Sequence, residues 1–196
     1  MWIVDLEKEI LNEMLSQWEP FLFSKEIYWP VHLTSRNLPQ AYRKIRVTPG
    51  RLLITIKVLR EFTEINPEHV SNLSEKIKQF QDLKDRWQAN WNKKVTEEIP
   101  VRIREWTRLI NDLRIDNEYS HIQLVNQIQI RLMIDLLMDQ LKDDDKMILL
   151  QQMNGLDHKY RGQTLDNDFV WDESEKFIFP NSDYWYLYRK YSQPGE

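Results

Sequence analysis

The 196-residue chain has no cysteine and only four glycines. Without thiols there is no disulfide, no thiolate nucleophile, no iron–sulfur cluster and no cysteine-ligated zinc. Average usage would supply about 14 glycines, so four are too few for Gly-rich phosphate loops or many tight turns. Long apolar runs are also missing. The two best stretches, Leu52–Leu59 and Ile130–Leu141, are broken by Lys57, Arg131, Asp135 and Asp139. Neither approaches the roughly 20 apolar residues that span a bilayer. The start, Met1-Trp2-Ile3-Val4-Asp5-Leu6-Glu7, has no basic leader ahead of an apolar core. A cytoplasmic protein that does not engage a membrane is expected.

Acidic residues are missing locally. From Ile27 to Arg60 there is none, against Arg36, Arg43, Lys44, Arg46, Arg51, Lys57 and Arg60. That leaves 20 basic and 31 acidic residues elsewhere within a formal net charge of −4. Such a stretch can form a patch for phosphates or anionic partners. The simpler alternative is intramolecular, a basic segment lying against acidic helices of the same chain. Overall acidity speaks against nucleic acid as a partner, because affinity there comes mainly from neutralised phosphates.

What the chain does have is helical periodicity. Ile3, Leu6, Ile10, Leu11, Met14 and Trp18 recur at steps of three and four over residues 2–19, one apolar face of a helix. Pro20 ends it or begins a second short turn, and Pro30 and Pro39 keep the chain extended to about residue 47. Thr48 as N-cap and Pro49 at the first helical position open a helix with Leu52, Leu53, Ile56, Leu59 and Phe62 on its face. From Val70 to Leu113 the apolar steps never change phase. The spacing therefore predicts one long helix over about 67–114, kinked near Thr96 where Pro100 supplies no N–H, with two helices broken at 97–100 as the alternative. Ile130–Leu141, apolar on most sides, reads as the most buried helix. A last helix at about 145–161 carries Ile148, Leu149, Met153, Leu156 and Tyr160 and stops at Gly162.

Nine aromatics crowd into Phe169–Tyr191. They are expected to close the core against Trp18, Phe21, Phe23, Tyr28 and Trp29, with polar partners for their N–H and O–H groups. The expected fold is thus all-α, a single domain over residues 1–196: an elongated helical bundle with one long kinked helix and an aromatic-rich C-terminal tail packed back on the N-terminal region.

Glu19-Pro-Phe-Leu-Phe-Ser24 with Tyr28-Trp29-Pro30, Thr48-Pro-Gly-Arg-Leu-Leu53, the Trp-bearing long helix, Phe169-Val-Trp-Asp172, Phe179-Pro180 and Tyr184-Trp-Tyr-Leu-Tyr188 together resemble a family of uncharacterised all-helical bacterial proteins of about this length. The resemblance implies a helical architecture and no activity. Pro100 departs from it by standing in an otherwise uninterrupted helix. Thr48-Pro-Gly-Arg51 departs by replacing a more apolar Gly-containing run.

Few residues are placed for chemistry. Thr48-Pro49-Gly50-Arg51 presents N–H groups at a helix start with Arg43, Arg46 and Arg51 nearby, a geometry that binds anions. The Thr48 side chain satisfies the same groups by capping alone. Arg131, Asp135 and Asp139 lie at successive i, i+4 positions and, with His121, could line a polar pocket if that face is buried. Exposed, they form a solvated stripe.

Glu118-x-x-His121 has a metal-ligand spacing but lacks the second pair that a di-iron bundle needs, so no metal or cofactor is expected. Arg114 and His121 are similar in spacing to the Arg–His element of HEPN-type ribonucleases, with Ile115 where a polar residue is usual. Glu61-x-x-Glu64 with Asp82-x-x-Asp85 is similar to the Mg²⁺-binding pairs of nucleotide pyrophosphohydrolases, with Arg60 in place of a third glutamate. The leading expectation is a non-enzymatic interaction or scaffold protein, self-associating through the long tryptophan-bearing helix or binding another protein. The alternative is an enzyme or binder acting on phosphate-containing ligands around Arg43–Arg51.

Overall fold

The computed structural model describes residues 4–33, 44–65, 71–115, 124–125 and 127–191. Within them the chain is all-α, with seven α-helices and two small two-stranded sheets. Its contacts divide into two compact units, residues 2–98 and residues 99–196.

In the first unit, α1 (Val4–Ser16) and α2 (Trp18–Phe23) are followed by an antiparallel ladder of β1 (Trp29–His32) and β2 (Lys44–Val47), then α3 (Pro49–Ile65) and α4 (Ser71–Arg86). Trp29 lies opposite Val47 and Pro30 opposite Arg46. α1 buries Leu6, Ile10, Leu11 and Met14, the stripe read from its periodicity. Pro20 sits in the first turn of α2, where a missing N–H costs nothing. α3 is buried nearly all round at its start: every residue from Leu52 to Leu59 except Lys57 is inside. The β-branched Ile54, Thr55, Ile56 and Val58 are compatible with a strand, but the Thr48-Pro49 start commits them to helix.

α5 (Gln88–Ile115) contains the boundary between the units. Between Ser71 and Ile115 the interruption falls at Trp87, not near Thr96. Backbone bonds continue across it, from Trp87 N–H to Leu83 O at 3.1 Å and from Trp91 N–H to Trp87 O at 3.0 Å. Pro100 is carried inside α5 because it and Thr96 face solvent. Water can take the carbonyl that proline leaves unpaired. The apolar seam is covered within the chain: Leu73, Ile77, Phe80, Trp91, Val95, Ile99, Ile103, Trp106, Ile110 and Leu113 are all buried. Trp18 stacks on Trp91 at 5.6 Å, and Phe80 meets both edge-on.

The second unit continues with α6 (Gln129–Met138), α7 (Asp143–Arg161) and an antiparallel pair of β3 (Thr164–Asp166) and β4 (Arg189–Tyr191). Gly162 ends α7, and β3 reverses the chain at once. The tail is expected from its composition against the N-terminal region; the ring contacts described for it include several among residues of the second unit. Phe169 meets Tyr188, Trp171 meets Phe179, and Trp185 meets Tyr160. The N-terminal rings close on Phe80, Trp87 and Trp91. Polar ends in the tail find partners: Trp171 Nε1–H donates to Val125 O at 3.0 Å and Tyr188 OH to Phe179 O at 2.9 Å. On α7, Met153, Leu156 and Tyr160 point inward, whereas Ile148 is 71% exposed.

Candidate functional site

At the start of α3 the first-turn N–H groups have no partner within the helix. Pro49 has no N–H, Gly50 donates to Glu98 Oε2 at 2.7 Å and Arg51 to Thr48 Oγ1 at 3.2 Å, and Leu52 makes the first helical bond, to Thr48 O at 2.9 Å. The place an external anion would occupy is therefore taken by a fully buried carboxylate of the chain itself, Glu98.

The Arg51 side chain is also committed. Its Nη1 and Nη2 donate to the two oxygens of Glu7 at 2.8 and 2.6 Å, and Thr55 OH donates to the same carboxylate at 2.6 Å. Thr48 and Gly50 are buried, and Arg46 is exposed on β2. Arg43 lies outside the described residues. Of the five anion candidates, Thr48, Gly50 and Arg51 are brought together, around carboxylates of this chain.

A second constellation forms at Arg131, which is 6% exposed. Its Nε and Nη2 grip Asp157 of α7 in a fork at 2.9 and 2.8 Å, and its Nη1 donates to Asp135 one turn along α6. Tyr186 of the tail donates its OH to the other Asp135 oxygen at 2.8 Å, and its ring lies 4.9 Å from the guanidinium carbon. One arginine thus ties together α6, α7 and the tail. Burial works against the Arg131 charge, but the bond to Asp157 and the field of Asp135 outweigh it and raise its pKa. Burial pushes the Asp135 carboxyl above the usual carboxylate range despite Arg131 and Tyr186. Burial, then the neighbouring Asp135, holds the Tyr186 hydroxyl well above the ordinary tyrosine value. These directions keep the phenol protonated as a donor; it is no base.

Asp139 does not join this group. It pairs with Lys146 and is largely exposed. His121 and Glu118 lie outside the described residues, and so does the Arg114–His121 pairing. Glu61 faces Lys57 at 3.7 Å and Asp85 accepts from Gln81, as solvated helix charges do. Among the described residues no group of three or more His, Asp or Glu side chains could hold a metal ion. No helix there is long and apolar enough to cross a membrane.

Two features carry no sequence signal. Asp157, the main partner of Arg131, stands 26 residues away. An open cleft of about 760 Å³ forms in the tail, lined by residues that include Asn167, Asp168, Lys176, Phe177, Asn181 and Tyr188. Lys176 there is engaged by Glu173 at 2.7 Å, and the Ser174 hydroxyl, also lining the cleft, donates to its neighbour Asp172 at 2.5 Å. No family model matches the chain, and neither a curated protein nor a solved structure matches it. The functional reading therefore rests on the geometry of the molecule itself.

Proposed function

We propose that the chain is a non-catalytic helical interaction protein that works by associating with itself. The observation that carries this reading is a contrast between buried charges and exposed apolar side chains. Glu7, Lys94, Glu98, Arg102 and Arg131 are buried and each engaged by a neighbour in the chain. Meanwhile α7 holds Met147, Ile148 and Leu150 in water at 60, 71 and 44% exposure. Charges held in this way serve packing, whereas adjacent exposed apolar side chains mark a surface meant to be covered. The long-helix seam is covered within the chain, whereas α7 holds three of the seven exposed large apolar side chains among the described residues.

Self-association links stability to concentration by mass action. The melting temperature is expected to rise with protein concentration and to stay put when pyrophosphate is added. A melting temperature that climbs with pyrophosphate and ignores protein concentration overturns the reading in favour of a phosphate ligand.

A further inference from the structure

The outer face of α7 has an order to it. Asp144, Ile148, Gln151, Gly155 and His158 follow one another at steps of four and three, and all are exposed. That spacing lines one face of a helix, polar at most positions with Ile148 as its large apolar member. It lies opposite the inward set Leu149, Met153, Leu156 and Tyr160. Chemically the helix changes along its length, from the acidic turn Asp143–Asp145 to the basic last turn of His158, Lys159 and Arg161, and this face takes Asp144 and His158 from its two ends. In its second half Gly155 carries no side chain and faces open space.

We infer that α7 pairs with α7 of a second copy of this chain, antiparallel, about a two-fold axis near Gln151. This rests on the self-association reading and adds the surface and its geometry. Antiparallel pairing sets Asp144 of each copy beside His158 of the other and seats each Ile148 over the open Gly155. The two helix dipoles then oppose one another favourably. A parallel pair would stack three aspartates on three aspartates, which like-charge repulsion forbids. The same patch serves both copies, as a closed dimer requires. At 19 residues α7 is about 28 Å long. One helix pair of that size sits at the small end of specific interfaces, so a micromolar dimer is expected.

The absence of cysteine makes the test clean. In the full chain, Gln151→Cys should yield a covalent dimer on mild oxidation, while Gln79→Cys on the exposed side of α4 should not. Ile148→Asp should weaken the dimer by at least about tenfold in light scattering, with an unchanged circular dichroism spectrum because that side chain is exposed. Asp144→Lys should weaken it as well, and adding His158→Glu should restore it.

A dimer that survives Ile148→Asp and does not cross-link through position 151 overturns the α7 pairing and leaves self-association standing. A chain that stays monomeric at every concentration to about 100 µM overturns both.

Discussion

The two units of the chain use buried charge in different ways. In residues 2–98 it is spread out. Glu7 fastens α1 to Arg51 and Thr55 on α3, Glu98 fastens α5 to the start of α3, and Lys94 reaches back to Ser24 and Glu26 after α2. Each link joins a different pair of segments. In residues 99–196 buried Arg102 makes a local pair with Glu105 within α5, and Arg131 gathers several groups: it holds Asp135, Asp157 and, through Asp135, Tyr186. A spread set loses one contact at a time, whereas a hub strands several groups at once. The difference follows from what each unit has to hold. α3 is a central helix with neighbours all round, but the tail is largely irregular and needs a fixed point to close on.

The largest effect should come from removing what the hub holds. A chain ending at Asp168 loses buried Phe169, Ile178, Phe179, Tyr186 and Leu187. At about 1.5–3 kcal/mol per large side chain, the loss exceeds about 5 kcal/mol. Calorimetry should show the melting temperature falling sharply; an unchanged value would mean that the tail closes nothing. Next comes the hub. Arg131→Met leaves two carboxylates without their cation and should cost about 3–5 kcal/mol in urea unfolding. Its counterpart Arg51→Met strands only Glu7, which keeps the Thr55 hydroxyl, and should cost less, about 2–3 kcal/mol. Equal losses would erase the distinction between hub and spread links. Glu98→Gln keeps an acceptor for the Gly50 N–H but drops the charge facing the α3 start, a loss of about 1 kcal/mol.

The smallest expected effect is on pH dependence. The folded Asp135 carboxyl lies above its ordinary range because of burial, so the folded state holds that proton more tightly than the unfolded one. Its contribution to stability is present below the ordinary carboxylate value and is lost as pH rises through the folded value. Asp135→Asn keeps an acceptor for Tyr186 and should remove that part of the slope. Urea midpoints between about pH 4 and pH 7 check it; an identical slope in both proteins would show that Asp135 does not contribute.

Legibility from sequence followed the range of the interactions. The start of α3 was readable because Thr48 and Pro49 act within one turn. The stripes of α1 and the long helical region were readable because periodicity is local. The break at Trp87 was not, since neither glycine nor proline marks it, and Pro100, which does mark a break on paper, sits where solvent can replace the lost bond. Arg131, Asp135 and Asp139 stood in the sequence at successive i, i+4 positions. The fold kept Asp135, turned Asp139 to Lys146 and supplied Asp157 from another helix. Glu98 at the α3 start likewise comes from 48 residues away. Ile148 was grouped with the inward residues of α7 because apolar identity says nothing about which side a neighbour lies on.

With the buried charges committed to holding each unit together, the outer face of α7 is the surface proposed for self-association. The most direct measurement of that claim is the molar mass of the intact chain by sedimentation equilibrium at tens of micromolar. The predicted result is a mass moving toward twice the 24.0 kDa of one chain as concentration rises. A constant single-chain mass across the series would contradict it.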